Sequence, residues 1–276
     1  MSNFINFGVS PYRTVMAVNR VNSLLADNME RLSTGLRVNR AADDPAGLAV
    51  AIQLGKQDSS ASQALRNTAQ GTSMIQTAEG AMGEIGNILD RMRELAVQSA
   101  NETLTSSQRS DIDDEFEELS AEIDRISGST EYNDIKLTDG SNTSINVQVG
   151  IDGSSSSQIE LSFSDVDADA LGVDTALDLS TASGASSAIT AIDDAIDTIA
   201  SERASLGASQ SRLDSASNYM QEMQLAARSA RSSIMDADMA FEIAESSRLQ
   251  VVQAAGLAAL AQARNINSSI IGLLSG

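Results

Sequence analysis

The 276 residues include no His, no Cys and no Trp. Without imidazole or thiol there is no Ser-His-Asp or Cys-His nucleophile system, no thiolate metal site and no disulfide. Carboxylates remain, so composition alone still allows an all-oxygen cation site. The best acid pair is Asp113 with Glu117, which share one helix face and have no evident third partner. An enzyme is therefore disfavoured, and no cofactor is implied. Proline is equally scarce: Pro11 and Pro45 are the only two, so nothing breaks a helix after position 45. Aromatic residues make up 3% of the chain against 42% apolar, which calls for a core of Ala, Leu, Ile, Val and Met. The net charge of −20 lacks the basic footprint that nucleic acid requires and opposes an anionic membrane surface. No run approaches the roughly 18–20 apolar residues of a membrane span; AAGLAALAQA at 254–263 is far too short. The opening MSNFINFGVSPYR has no cationic start leading into an apolar stretch, so export is expected to need a dedicated route.

What the chain does have is heptad spacing at both ends. Val15, Val18, Asn22, Leu25, Met29, Leu32 and Leu36 follow alternating steps of three and four. The same steps give Leu249, Val252, Gly256, Ala259, Ala263, Ile266, Ile270 and Leu273, with small residues where backbones could approach closely. Both read as coiled-coil seams. Leu257, Leu260 and Ile271 add a second stripe, wider than a single partner helix would cover.

The interior repeats the theme. Met74, Ala78, Ala81, Ile85, Ile88, Met92 and Leu95 form one seam, and Ile112, Phe116, Leu119, Ile123 and Ile126 another. Thr105 with Gln108 resembles a capping box at the start of the latter, and Arg125 and Gly128 mark its expected end. A third seam runs from Ile189 to Ile234. Long helices are expected over roughly 45–100, 105–127 and 186–235, together with two terminal ones. Asp43-Asp44-Pro45-Ala46-Gly47 reads as the turn feeding the first of these. Between 129 and 184 the chain turns rich in Ser, Thr, Asp and Gly, with alternating runs at Ile145–Val149 and Ile159–Phe163. These predict a β-hairpin, its turn supplied by Asp152-Gly153. The fold class expected is mainly α: a long-helix bundle with terminal coiled-coil helices and a small β-hairpin region.

Ordering a residue costs on the order of 1–2 kcal/mol, and each buried Leu, Ile or Val side chain returns roughly 1.5–3. A lone terminal helix with one apolar stripe does not balance that cost. Two arrangements do: terminal helices that order on assembly with neighbouring copies, or terminal helices that complete a bundle within the chain.

Five segments then resemble one family. ERLSTGLRVNRAADDPAGLAVA at 30–51, RMRELAVQSANETLT at 91–105, EIDRISGSTEYNDIKL at 122–137, ALGVDT at 170–175 and MDADMAFEIAESSRLQVVQAAGLAALAQARNINSSIIGLL at 235–274 are similar to bacterial flagellins, in the same order. The resemblance implies a structural subunit that is exported unfolded and polymerises into the flagellar filament for motility. It divides the chain into an inner coiled-coil domain from 1–42 and 236–276 and an outer helical shell from 43–235, with the hairpin at about 140–175. The variable outer domains of many flagellins have no counterpart here. It further implies a secreted, extracellular location reached by type III export, with an export chaperone, the filament cap and hook–filament junction proteins as partners. Nucleic acid and membrane are not expected partners. Hook–filament junction proteins share the terminal coils and are the nearest alternative; a generic secreted coiled-coil adaptor is another.

The assembly residues expected on the terminal coils are Val18, Leu25, Met29, Leu32, Leu36, Leu249, Val252, Gly256, Leu260, Ile266, Ile270 and Leu273. By the same resemblance, Arg91, Leu95 and Glu115 match the positions through which many flagellins meet Toll-like receptor 5; packing between protofilaments is the alternative role. Asp90 stands where a Gln is frequent. The acidic run Asp111, Asp113, Asp114, Glu115, Glu117 and Glu118 is expected near solvent. Asp165, Asp167 and Asp169 have the opening spacing of a Ca²⁺ loop, but Ala170 and Ala176 replace its turn Gly and its bidentate Glu, so no metal site is expected.

Overall fold

A computed structural model describes the backbone of residues 9–274 and the side chains of 12–265. Five helices account for most of it: α1 Val9–Thr34, α2 Pro45–Ser99, α3 Ser106–Ser129, α4 Ala182–Met235 and α5 Met239–Leu274. Four short strands stand between α3 and α4: β1 Glu131–Tyr132, β2 Ile135–Lys136, β3 Ser144–Gln148 and β4 Gln158–Ser162. They form two antiparallel pairs, β1 with β2 and β3 with β4. The fold is mainly α with a small β region, as the helical spacing predicts. Two compact units emerge, one from residues 1–56 and 226–276, the other from 57–225.

The helix ends show why the chain breaks where it does. Asp44 Oδ1 accepts from Gly47 N–H at 2.8 Å, capping α2 directly before Pro45. At α3 the capping box is complete: Thr105 Oγ1 accepts from Gln108 N–H, and Gln108 Oε1 accepts from Thr105 N–H at 3.0 Å. The other end of α3 differs from expectation. Gly128 does not turn left-handed; the helix runs to Ser129 and stops at Thr130, which is extended, with its hydroxyl donating to Ile126 O at 2.7 Å. The Lys136 ammonium donates to the Gly128 carbonyl at 2.8 Å, so a side chain eight residues on satisfies this helix end.

In the unit of residues 57–225, α2, α3 and α4 close a core over the β region. Phe116, Ile75, Met82, Ile85, Leu89, Met92, Ile123, Leu161, Leu179 and Ile192 are fully buried there. Phe116 and Phe163 are the two buried aromatics of this core, and Leu, Ile and Met supply most of the remaining volume. The β3–β4 pairing sets Ile145 opposite Leu161 and Val147 opposite Ile159. This places the alternating apolar residues on the face that meets the helices. The connection is longer than a two-residue turn. Gly153 is not left-handed; instead Asp152 Oδ1 accepts from Ser154 N–H and from the hydroxyls of Ser154 and Ser157, and a 3₁₀ turn at Ser155–Ser157 leads into β4. The β1–β2 hairpin, absent from the expectations above, turns through Asn133 (φ 52°) and Asp134 (φ 63°).

The segment from Phe163 to Thr181 is held by two carboxylates of α3. Asp113 Oδ1 accepts from Leu179 N–H at 2.8 Å and Asp124 Oδ1 from Ala168 N–H at 2.9 Å. Ser99, fully buried at the end of α2, donates to Leu179 O at 2.6 Å. Arg109 donates to the carbonyls of Ser99 and Asn101, closing the end of α2.

Candidate functional site

In the unit of residues 1–56 and 226–276, α1 and α5 pack as an antiparallel pair. Gly35 (φ 71°) ends α1, and the chain beyond forms a one-residue bridge from Leu36 to Asp236. The bridge is bounded by Arg37 N–H donating to Met235 O and Ala237 N–H to Gly35 O at 2.9 Å. Val38, Ala51 and Met235 form a small core beside it, with Leu36, Leu48 and Ile234 packed against them.

The pairing faces follow alternating steps of four and three: Thr14, Val18, Val21, Leu25, Asn28 and Leu32 on α1, and Glu242, Ser246, Leu249, Gln253, Gly256, Leu260 and Ala263 on α5. Val18, Leu25, Leu32, Leu249, Gly256 and Leu260 lie on these faces, and Leu36 is half-buried at the bridge. A Cβ on Gly256 would stand 2.7 Å from Val18 Cγ2, so the missing side chain is what lets the helices approach there. Met29 and Val252, by contrast, are 44% and 41% exposed. The positions taken in their place are polar. Asn28 and Gln253 face the seam, and Gln253 donates to Asn22 Oδ1 at 2.7 Å. A pattern built on apolar residues alone misses them, because their amide nitrogens donate across the pair. Ile266, Ile270 and Leu273 lie outside the described side chains.

Beyond the seam a second set of apolar side chains has no cover. Val15, Met16, Leu24 and Met29 on α1 are exposed, as are Phe241, Ile243, Val251, Val252 and Leu257 on α5.

The other expected site divides. Arg91 and Glu115 meet: the guanidinium donates twice to Glu115 Oε1, at 2.7 and 3.1 Å, and reaches Glu94 at 3.0 Å. The hydrogen bonds that Arg91 donates, to Glu115 first and to Glu94 second, hold its pKa above the ordinary value. Both groups are about half exposed, so the pair is a surface feature that salt screens. Leu95 does not join them. It is 2% exposed and belongs to the core, so it is not available as an apolar anchor on the subunit surface. Its helical neighbour Arg93 is bound to Asp193 at 2.6 Å instead. Along the acidic run of α3, Asp111, Asp114, Glu115, Glu117 and Glu118 are exposed and Asp113 is half-buried at its tether. Among the described residues no group of carboxylates is placed to hold a metal ion. No described helix is long and apolar enough to cross a membrane.

The geometry is that of a subunit with one closed core and one pair of terminal helices left partly uncovered. Two family models match those same regions. The bacterial flagellin N-terminal helical region matches residues 5–143 and the bacterial flagellin C-terminal helical region matches residues 189–274. The chain belongs to the bacterial flagellin family. The flagellin of Halalkalibacterium halodurans is 42% identical over 249 residues, covering 89% of this chain and 90% of that protein. A flagellar filament 33 kDa core protein of Treponema phagedenis is 33% identical, with 98% of this chain and 99% of that protein covered. Among solved structures, the crystal structure of Bacillus cereus flagellin matches with a TM-score of 0.50 and 34% identity, over 56% of this chain and 88% of that one. The chain is thus a flagellar filament subunit, a structural protein of a family that forms filaments by self-assembly. At 276 residues it is a compact form of the family.

Proposed function

We propose that the chain is exported unfolded through the flagellar type III route and polymerises outside the cell chiefly through α1 and α5. Residues 1–42 and 236–276 then act as the inner coiled-coil domain of the filament, and residues 43–235 as its outer helical shell. The observation that carries this reading is the uncovered apolar set on α1 and α5, which includes Val15, Met16, Leu24 and Met29 on the one and Phe241, Ile243, Val251, Val252 and Leu257 on the other. Covering a Val, Leu, Met or Phe side chain contributes roughly 1.5–3 kcal/mol, so packing against further copies supplies a driving force that the single pair lacks. Met29 and Val252 belong to that inter-subunit surface; Val18, Leu25, Leu32, Leu249, Gly256 and Leu260 serve it by holding the pair together.

The partners this role calls for are an export chaperone that covers the terminal helices, the filament cap, and hook–filament junction proteins. Catalysis, nucleic acid and membrane have no part in it. At the outer shell, Arg91 and Glu115 offer a charged contact to a neighbouring protofilament or to Toll-like receptor 5, without Leu95 as an anchor.

Seeded growth tests the reading. The purified chain, mixed with filament seeds and followed by electron microscopy, is expected to extend them into long filaments. Met29→Asp and Val252→Asp are each expected to abolish extension while leaving helix content largely unchanged, since these side chains are 44% and 41% exposed in the subunit and lie off its buried seam. Discrete oligomers from the native chain, or normal growth of both variants, would overturn it.

A further inference from the structure

The most unusual group on α5 is a carboxylate in its first turn, where the pairing face begins. The Glu242 side chain is 6% exposed. It accepts from Asn28 Nδ2 at 2.5 Å, and Arg31 stands 3.6 Å from its other oxygen. Asn28 Nδ2 also donates to the Glu242 backbone carbonyl at 3.0 Å. Asn28 is itself 4% exposed, and its Oδ1 has no hydrogen-bond partner. All the donors to this carboxylate come from α1. Glu245, one turn on, is bound to Arg248 of its own helix and leaves Glu242 to its partner.

We propose that Glu242 is a specificity-determining residue that makes burial of the α5 stripe conditional on α1 as the partner helix. The physical argument is an asymmetry. A carboxylate taken out of water with its donors in place is close to neutral for stability, whereas the same carboxylate buried without them is strongly unfavourable. Beyond Ser246 and Gln253, the latter donating to Asn22 of α1, the rest of α5 is indiscriminate: it presents Leu249, Gly256, Leu260 and Ala263 at the seam and Val251, Val252 and Leu257 beside it. Such a stripe would pack against a second α5 as readily as against α1. Only α1 offers Asn28 and Arg31 opposite position 242, so an α5–α5 contact over this turn strands the charge. The unsatisfied Asn28 Oδ1 marks the cost of this arrangement, since a Leu–Leu contact would leave no orphan acceptor.

The absence of cysteine makes the test clean, because every thiol is an introduced one. A Cβ at 256 lies within disulfide reach of position 18, so Val18→Cys with Gly256→Cys in the full chain reports α1–α5 pairing as an intramolecular disulfide. Gly256→Cys alone reports α5–α5 contact as a covalent dimer. With Glu242 intact, the first disulfide is expected to dominate and the dimer to be scarce. Glu242→Leu should leave the intramolecular disulfide in place and raise the dimer at least severalfold. Removing the donors instead, by Asn28→Leu with Arg31→Leu, should reduce the intramolecular disulfide on the order of a hundredfold. Adding Glu242→Leu to that pair should restore it, which a mere folding defect would not allow. Dimer yields unchanged by Glu242→Leu, or loss of pairing that Glu242→Leu fails to rescue, would overturn the proposal. The reporters read the free chain, so their outcome is independent of whether seeds are extended.

Discussion

Leu95 separates a core role from a surface role more sharply than any other residue. It is 2% exposed and packs in the cluster that includes Leu89, Met92 and Phe116. Truncation to Ala removes the buried side chain beyond Cβ and leaves a cavity between helices that cannot fully close. Comparable deletions in packed cores cost about 2–5 kcal/mol. For a unit of this size each kcal/mol lowers Tm by about 2–4 °C, so Leu95→Ala is expected to melt roughly 5–15 °C below the native chain. Arg91→Ala is the internal control. Its ion pair with Glu115 is half exposed and screened by salt, so Arg91→Ala is expected to melt close to the native chain. Thermal unfolding followed by far-ultraviolet circular dichroism at moderate salt measures both. A loss of receptor signalling in Leu95→Ala would then be read against its stability, and a loss in Arg91→Ala would be read as contact. A Leu95→Ala chain as stable as the native one would refute the placement of this side chain in the core.

Two glycines in helices should respond to Ala with opposite signs. A Cβ on Gly86 meets nothing within 4 Å, so Gly86→Ala should stabilise by about 0.5–1 kcal/mol in denaturant titrations, whereas a Cβ on Gly184 would stand 2.0 Å from the Asp178 carbonyl oxygen, so Gly184→Ala should cost about 1–3 kcal/mol. Asp152 is held below the usual aspartate value by the Ser154 hydroxyl first and the Ser157 hydroxyl second. A depressed folded pKa contributes stability above the unfolded value of roughly 3.9 and loses it as pH falls through the folded value. Acid titration of stability should therefore be shallower below about pH 4 for Asp152→Asn than for the native chain, and identical slopes would count against the loop geometry.

Much of the fold could be read before the structure was known, and what escaped did so for definite reasons. The Asp44-Pro45 entry to α2 and the Thr105–Gln108 box at α3 are local, with both partners within three residues. The paired strands declare themselves through Ile145, Val147, Ile159 and Leu161, because a period of two has only one way to turn toward a helix layer. The β1–β2 hairpin escaped because Asn133-Asp134 makes its left-handed turn without glycine. Gly128 and Gly153 misled in the opposite sense: each was available to turn left-handed, and in each case side-chain hydrogen bonds ended the element instead. At the candidate sites the Arg91–Glu115 pair was legible as two surface charges, but the burial of Leu95 was not. Helical spacing shows that Met92 and Leu95 share a face without saying whether that face meets the core or a partner. The tethers from Asp113, Asp124 and Arg109 carried no sequence signal, since each joins a side chain to a backbone group that only the folded chain brings near.

The terminal helices set polar residues within their apolar seam and apolar residues on their outer faces, and this placement has a consequence for assembly. Asn28, Glu242, Ser246 and Gln253 face the seam, while Met29, Phe241, Val251 and Val252 face water. Were the two sets exchanged, α1 and α5 would form a strong, self-sufficient coil with a polar exterior, and further copies would find nothing to cover. With the polar set inside, the intramolecular pair is selective and only modestly stabilised, because a buried carboxylate with its donors is close to neutral against a hydrophobic contact. On the proposed route of assembly, the apolar set outside reserves the larger hydrophobic contribution for contacts between subunits. A filament subunit needs both properties at once: a terminal pair specific enough to form correctly in each copy, and a surface whose burial is completed only by the next copy. The heptad spacing of the sequence is compatible with either placement, and the polar residues at 28, 242, 246 and 253 are what select this one.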